Sequence, residues 1–354
     1  MQYQPGIHIA IVSDSTHIPG AQSPFQDDQD LLKELQDRRA SVEIIDWREA
    51  GINWQKFDAI FISSTWDIPS YGEEFMHWIR TCNADKKRTI NDGQLICDNV
   101  IKSRYLSRLI QYFGHQPGAS AAITPSCFIA LKASAEDSTN ALGNHNLTSL
   151  CRELAMADPA NWENRPVVMK PIVSADGNNT FLYHPSLVNS ESAIPDSTLI
   201  AEEEAEQVFQ QLLRHSSRGI ILQPYIKAVE EGEYCLVFLH DRFSHAIQKK
   251  GGFKNHSIRE RRYIPEDKLP AGMLSFGKEI IQYMQQLYHA TALTRTRIDF
   301  LHSNHQTVLC ELECTEPNTN LQSLPEATRK MVTRNYAQAI YEQAIRLKME
   351  SNSY

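Results

Sequence analysis

At 354 residues the chain is long enough for more than one compact core, and its 42% hydrophobic and 22% charged residues are those of an ordinary soluble globular protein. No apolar run approaches the roughly 20 residues that a membrane helix requires, and a net charge of −8 argues against a nucleic-acid partner held by phosphate neutralisation. The seven cysteines show no CxxC pair, so neither a zinc site nor a complete disulfide framework is expected. Together with an N-terminus that lacks a basic and then apolar leader pattern, this predicts a cytoplasmic protein free of membranes.

Taken in order, residues 7–12 read as a buried strand, and Asp27 to Arg38 as an amphipathic helix with Leu31, Leu32 and Leu35 on one stripe. Val42 to Trp47 and Ala59 to Ile62 supply two more strands, and Tyr71 to Arg80 a second helix. This β-α-β-β-α order predicts an open sheet of parallel type flanked by helices. No G-x-G-x-x-G follows the first strand, which argues against a dinucleotide site.

Asp98 is a suitable N-cap for a helix running to Leu109, with Lys102 in its first turn. Taken alone, Lys102 reads as an ordinary surface lysine. The stretch from Ser134 to Asn146 is polar and rich in small residues, which suggests a loop or exposed insertion, and a domain boundary is placed near residue 120.

Arg165 to Pro171 reads as an apolar strand that ends in a lysine, Lys170, and a small polar loop over 174–180 follows. An ammonium there requires an anionic partner, and such a loop has backbone N–H groups suited to phosphate oxygens. A hairpin with a polar turn is the alternative. Gly219 to Ile226 is a strand that runs into Pro224, where pairing should stop and expose backbone groups able to hold a planar base such as adenine. Gly232 to Lys249 reads as a hairpin, followed by Gly251, Gly252 and a basic stretch with Lys254, Arg259, Arg261 and Arg262. That stretch is either a lid over anionic ligands or a solvated loop.

Near the C-terminus, Thr296 to Leu301 and Val308 to Glu313 predict two strands joined by a turn, which puts Asp299, Glu311 and Glu313 on one side of the sheet. Three converging carboxylates repel one another unless a hard divalent cation occupies the cluster, and all-oxygen ligation suits Mg²⁺ or Mn²⁺. A solvated hairpin with its acids turned outward is the alternative. His302 and His305 fall in the expected turn and do not suggest zinc. Ala337 to Lys348 closes the chain as a helix.

Two lysines, a strand ending in Gln223-Pro224-Tyr225-Ile226, the Gly232-Glu233-Tyr234 hairpin and the set Arg297-x-Asp299…Glu311-x-Glu313 occur in an order that resembles the ATP-grasp superfamily. Within it, residues 232–238, Phe243 to Ala246, Glu311 to Glu313 with Glu316-Pro317, and Ser64-Thr65-Trp66-Asp67 are similar to the glutathione-synthetase-like ligases that include the D-cycloserine ring-closing subgroup. The resemblance spans most of residues 7–320. It implies an α/β chain, α+β in part, with an ATP-grasp fold and an N-terminal open parallel-sheet domain. Its modules would be 1–120, a central subdomain 121–226 and a C-terminal subdomain 227–354 with the metal site.

The resemblance further implies that Lys102 and Lys170 bind nucleotide phosphates, Ser174 opens the loop over them, Gln223, Pro224, Tyr225 and Ile226 hold adenine, and Glu233 binds ribose. It makes Asp299, Glu311 and Glu313 the ligands of Mg²⁺ or Mn²⁺, and sets Arg297 and Lys249 against the transferred phosphate or the acyl intermediate. Two positions depart from the subgroup: Ser63 stands where arginine is expected, and Ile68 where an aromatic is expected, both on the expected substrate side. The implied activity is an ADP-forming ligation of small-molecule carboxylate and amine substrates, with a homodimer as a possible assembly. A peptide- or protein-tagging ligase and a nucleotide-binding pseudoenzyme are the alternatives.

Overall fold

The computed structural model describes residues 6–14, 26–114, 121–129, 146–174, 177, 179–184, 199–216, 218–250 and 260–351. They open with β1 (His8–Ser13), α1 (Gln26–Asp37), β2 (Ser41–Ile45), β3 (Ala59–Ser64), α2 (Ile68–Cys82), β4 (Thr89–Ile90) and α3 (Gly93–Val100). Next come α4 (Lys102–Phe113), β5 (Ala121–Ile123), β6 (Cys127–Ile129), α5 (Leu147–Ala157), α6 (Pro159–Trp162), β7 (Val167–Pro171), β8 (Phe181–Tyr183), β9 (Leu199–Ile200), α7 (Glu202–His215) and β10 (Ile220–Pro224). The last group is β11 (Glu233–Leu239), β12 (Arg242–Lys250), β13 (Glu260–Ile264), α8 (Met273–Tyr288), β14 (Arg295–Ser303), β15 (Gln306–Glu313) and α9 (Glu326–Ser351).

These elements form two compact units. The first comprises residues 1–100, 233–249 and 261–354, and the second residues 101–232 and 250–260. The first unit thus gathers most of the expected first and third modules. Among the described residues no helix is long and apolar enough to cross a membrane.

In the first unit, β2-β1-β3-β4 form an all-parallel sheet, as the β-α-β order predicts. The interior strands carry near-continuous apolar runs, such as Ile9 to Val12 and Ala59 to Ile62, because both faces of a parallel sheet are covered. Strands in the order β13-β12-β11-β14-β15 make the second layer, with β12, β11, β14 and β15 each antiparallel to the next. Helix α9 lies between the layers: Tyr336, Ala337, Ile340, Ala344 and Leu347 share one core with Ile9, Ile11 and Phe61 of the parallel sheet and with Val237, Leu239 and Ile247 of the antiparallel one. Burial on both sides explains why a helix expected over residues 337–348 extends over Glu326–Ser351 without a clean polar face.

Two residue pairs turn the antiparallel hairpins. His240 and Asp241 have φ of 50° and 63°, and Asn304 and His305 have φ of 49° and 62°, the double left-handed geometry whose twist matches two-residue hairpins. His302 therefore sits on β14, with Nδ1 3.0 Å from the Thr307 hydroxyl, and only His305 is in the turn. A bulge between Asp299 and Phe300 leaves Cys310 unopposed, so Asp299 faces Glu311 while Phe300 faces Leu309.

Helix α3 ends at Val100, and Ile101, with φ −100° and ψ 94°, caps the next helix, so Asp98 is not the expected N-cap. Asp98 is instead buried inside α3, where it accepts from the Tyr288 hydroxyl at 3.0 Å and from Gln94 Nε2 at 3.1 Å. Two asparagines fix the strand ends within this unit. Asn91 Nδ2 donates to the carbonyls of Arg295 (2.9 Å) and Cys314 (2.7 Å) and its Oδ1 accepts from the Thr294 amide (2.8 Å). Asn99 does the same for Leu312 and Cys314, at 2.8 and 2.7 Å.

In the second unit, the strand order is β6-β10-β7-β8-β9, and Trp162, Val167, Met169, Phe209, Ile220 and Leu222 form its core. The stretch 134–145 lies outside the described residues, and Asn146 caps α5 by accepting from the Ser149 amide at 2.7 Å.

Asn91 also adopts a left-handed φ of 61°. Replacing it with alanine leaves buried carbonyls and an amide unpaired and strains the backbone, so Asn91→Ala should cost about 2–4 kcal/mol in urea unfolding. A loss below about 1 kcal/mol would show that Asn91 does not secure the strands.

Candidate active site

Residues opposite one another across antiparallel strands share a face, so the registers of the first unit assemble the site. Arg297 faces Glu313 and Asp299 faces Glu311 across β14 and β15, Cys235 faces Asp299 across β11 and β14, and Glu233 faces Lys249 across β11 and β12. One sheet face therefore carries Lys249, Glu233, Cys235, Arg297, Asp299, Glu311 and Glu313. Ligand oxygens of Asp299, Glu311 and Glu313 lie within 4.8 Å of one another.

Asp299 is the anchor. Arg297 donates to it in a fork, Nε to Oδ1 and Nη2 to Oδ2, both at 2.8 Å, and Lys249 Nζ donates to Oδ2 at 3.3 Å. Arg297 Nη2 also reaches Glu313 Oε1 at 2.7 Å, and Nη1 donates to the Asn318 carbonyl at 3.1 Å. Side-chain exposures of 3% for Asp299, 6% for Arg297 and 10% for Lys249 put this network in a low dielectric, where bidentate ion pairs are strongest. Cys310 Sγ donates to the Asp299 carbonyl at 3.1 Å.

Ionisation follows from these contacts. Burial alone would raise Asp299, yet the charges of Arg297 and Lys249 outweigh it and hold the carboxyl below the usual range. Lys249 is the converse: burial and Arg297 pull it down, Asp299 overcomes both, and it stays cationic. Glu313 differs, since burial together with Glu311 and Asp299 raises it to about 7 against the pull of Arg297. Burial and Asp299 keep the Cys235 thiol neutral. Burial likewise lowers His245 to about 4, so its Nε2 carries a proton to the Thr319 carbonyl at 2.7 Å and offers no lone pair to a metal there.

Described by itself, the second unit carries the remaining expected residues. Lys102 opens α4, its amide donates to the Ile172 carbonyl at 3.2 Å, and its Nζ donates to the Ser174 carbonyl. The helix start is thereby tied to the loop that follows β7. Lys170 is half-buried near the end of β7, opposite Ile221 of β10. Of the expected phosphate loop, residues 175, 176 and 178 lie outside the described residues, as do Gly251 to Arg259 of the basic stretch. Arg261 and Arg262 are exposed on β13.

Pairing does not stop at Pro224: the Tyr225 amide donates to the Pro166 carbonyl at 2.7 Å, and the Ile226 carbonyl accepts from the Val229 amide at 3.0 Å. A proline blocks only its own N–H, so one backbone hydrogen bond is made just past β10, which itself ends at Pro224. The Tyr225 hydroxyl donates to Glu230 at 2.9 Å, and Gln223 Nε2 donates to the Ser126 hydroxyl at 2.8 Å. Ser126 and the two asparagines carry no sequence signature of their own, because their roles come from long-range contacts.

An open parallel-sheet domain followed by antiparallel layers with a carboxylate cluster is the ATP-grasp fold, and the comparisons agree. The model for the D-cycloserine synthetase DcsG N-terminal domain matches residues 9–91. Cycloserine biosynthesis protein DcsG of Streptomyces lavendulae is 23% identical over 323 residues, covering 88% of this chain and 92% of that protein. The crystal structure of D-cycloserine synthetase DcsG aligns with a TM-score of 0.72 at 20% identity, covering 95% of this chain and 99% of that one. D-alanine–D-alanine ligase from Bacillus anthracis, complexed with ATP, aligns with a TM-score of 0.61 at 13% identity, covering 98% and 100%. Together these findings show the ATP-grasp fold and a similarity to the D-cycloserine synthetase subgroup.

The raised Glu313 carboxyl has a testable sign. A carboxyl lifted from 4.5 to about 7 costs stability once the unfolded chain ionises, so the cost is absent below about pH 4.5 and complete above pH 7. In metal-free buffer, Glu313→Gln should therefore melt at or above the parent temperature at pH 8, and this advantage should vanish as the pH falls toward 4.5. A variant that melts lower at pH 8 than at pH 5, relative to the parent, would contradict the assignment.

Proposed function

We propose that the chain is an ATP- and Mg²⁺-dependent ligase that joins a small amino-acid-like carboxylate to an amine or related nucleophile and releases ADP and phosphate. The observation that carries this reading is the convergence of Asp299, Glu311 and Glu313 beside Arg297 and Lys249 on one sheet face. Three oxygen donors with no sulfur or imidazole among them match a hard cation, Mg²⁺ or Mn²⁺. When bound, such an ion would neutralise phosphate charge and orient it for in-line transfer.

The chain's own residues would do the rest. Arg297 and Lys249, cationic and buried, are assigned to the charge that develops on the transferred phosphoryl group, and Lys102 and Lys170 to the nucleotide phosphates. The loop opened by Ser174 is assigned to cover those phosphates, Gln223 to Ile226 to adenine, and Glu233 to ribose. With the Tyr225 amide and Ile226 carbonyl already engaged, adenine would use other backbone groups of that stretch.

A substrate carboxylate oxygen would attack the γ-phosphorus as the bond to the bridging oxygen breaks and ADP departs. The amine nitrogen would then attack the acyl carbon, phosphate would leave with the bonding pair, and the nitrogen would lose its proton to solvent. A side chain need not form a covalent bond in either step. Positioning and charge stabilisation suffice. We further propose the three modules 1–120, 121–226 and 227–354, and a cytoplasmic location.

Incubation with ATP, Mg²⁺ and a pool of amino acids and small peptides, with nucleotides resolved by anion exchange, should yield ADP. Glu311→Gln should abolish that turnover. AMP as the main product, or full activity in the Glu311 variant, would overturn the reading. Tight ATP binding without turnover on any small molecule would favour a peptide- or protein-tagging ligase or a pseudoenzyme.

Lys170→Met should weaken ATP binding by about 10- to 100-fold in calorimetry, the loss expected for one charge-assisted phosphate contact. Unchanged affinity would return Lys170 to a structural role on β7.

A further inference from the structure

Past Glu313 the chain leaves the sheet, and Cys314 to Thr319 belong to no helix or strand. The carbonyls of such a stretch need donors from elsewhere. Side chains of the neighbouring strands supply them: Arg295 Nη2 donates to the Thr315 carbonyl at 3.2 Å, Arg297 Nη1 to the Asn318 carbonyl at 3.1 Å, and His245 Nε2 to the Thr319 carbonyl at 2.7 Å.

The strand registers explain why these donors converge. Arg295, Arg297 and Asp299 lie opposite Leu239, Val237 and Cys235 of β11, and Val237 lies opposite His245 of β12, so all of them share the face that carries the carboxylates. His245 is 1% exposed, and its Nδ1 lies 3.0 Å from the Ser244 hydroxyl, which fixes the ring. Arg295 is 4% exposed, with its guanidinium 4.7 Å over the Phe61 ring, and the same Nη2 also donates to the carbonyls of Ile62 and Ser63 near the end of β3. The Thr315 hydroxyl donates to the Ile96 carbonyl at 3.3 Å, and Asn320 Nδ2 adds a second donor to the Asn318 carbonyl at 3.0 Å.

Neutral donors or water would satisfy these carbonyls without the desolvation cost of two buried guanidiniums. What the cations add is visible at Arg297. A guanidinium has five N–H donors in a rigid plane. Nε and Nη2 place three of them on Asp299 and Glu313, and Nη1 places a fourth on Asn318. Among the described residues this leaves the second N–H of Nη1, and the position of the Asn318 carbonyl sets its direction.

We infer that the segment from Thr315 to Thr319 is a fixed backstop that aims this last N–H of Arg297 at the transferred phosphoryl group, and that His245 and Arg295 are positioning residues that act through it. The role rests on the ligase reading and adds two residues to it that touch neither nucleotide nor metal.

Calorimetry with ADP and Mg²⁺, with and without aluminium fluoride, tests it on the parent, His245→Leu, His245→Gln and Arg295→Lys, because aluminium fluoride beside ADP stands in for a phosphoryl group in transfer. The parent should hold ADP more tightly when aluminium fluoride is present. His245→Leu should lose about tenfold of that gain, as expected for one misdirected charge-assisted contact, with the affinity for ADP alone unchanged. His245→Gln, whose amide can donate to the Thr319 carbonyl, should recover most of it. Should His245→Leu fail to fold, Arg295→Lys, which keeps the charge and shortens the reach, carries the test with the same expected sign. Equal losses with and without aluminium fluoride, no loss in the folded variants, or no recovery in His245→Gln would overturn the positioning role and leave the ligase reading standing. A parent whose ADP affinity gains nothing from aluminium fluoride would overturn both.

Discussion

The contact on which the site depends is the double hold on Asp299, forked by Arg297 at 2.8 Å and reached by Lys249 at 3.3 Å. A carboxylate this buried would otherwise take up a proton and lose its value as a hard ligand. The two cations keep it ionised, and at the same time they preorganise positive charge on the sheet face where Glu311 and Glu313 converge with it. Burying such charges is costly, so the network makes a weak case as a stabilising device and a stronger one as functional machinery.

Several local features fix this arrangement. The left-handed pair at Asn304 and His305 sets the register of the hairpin, the bulge at Cys310 re-aims Glu311 and Glu313, and Asn91 and Asn99 secure the strand ends by side-chain hydrogen bonds. A one-residue slip would turn the carboxylates to the opposite face. Helix α9 packs on the same face farther along the strands, since Val237 and Leu239 alternate in step with Cys235 and Ile247 with Lys249, so the polar site and this core lie side by side on one face of the layer.

How much was legible in the sequence follows from the range of the interactions involved. The period-2 spacing of Asp299, Glu311 and Glu313 and the alternation of strands with helices are local patterns, and the structure has both. Lys102 at a helix start was legible too, although Asp98 as its cap was not, because burial against Tyr288 overrides the local capping preference. The engaged Tyr225 amide depends on Pro166, far away in sequence. Ser63, where the resemblance leads one to expect arginine, donates to buried Asp28 at 2.5 Å, so that position serves the interior of the parallel-sheet domain.

The central claim is that Asp299, Glu311 and Glu313 form one site for a hard divalent cation. Electron paramagnetic resonance titration with Mn²⁺ measures it directly, since bound Mn²⁺ loses the sharp signal of the free ion. The account predicts a site in the parent protein that Mg²⁺ competes away and that Glu311→Gln weakens by at least about tenfold, the loss of one charged ligand contact. Equal Mn²⁺ binding in the parent and the Glu311 variant would contradict it.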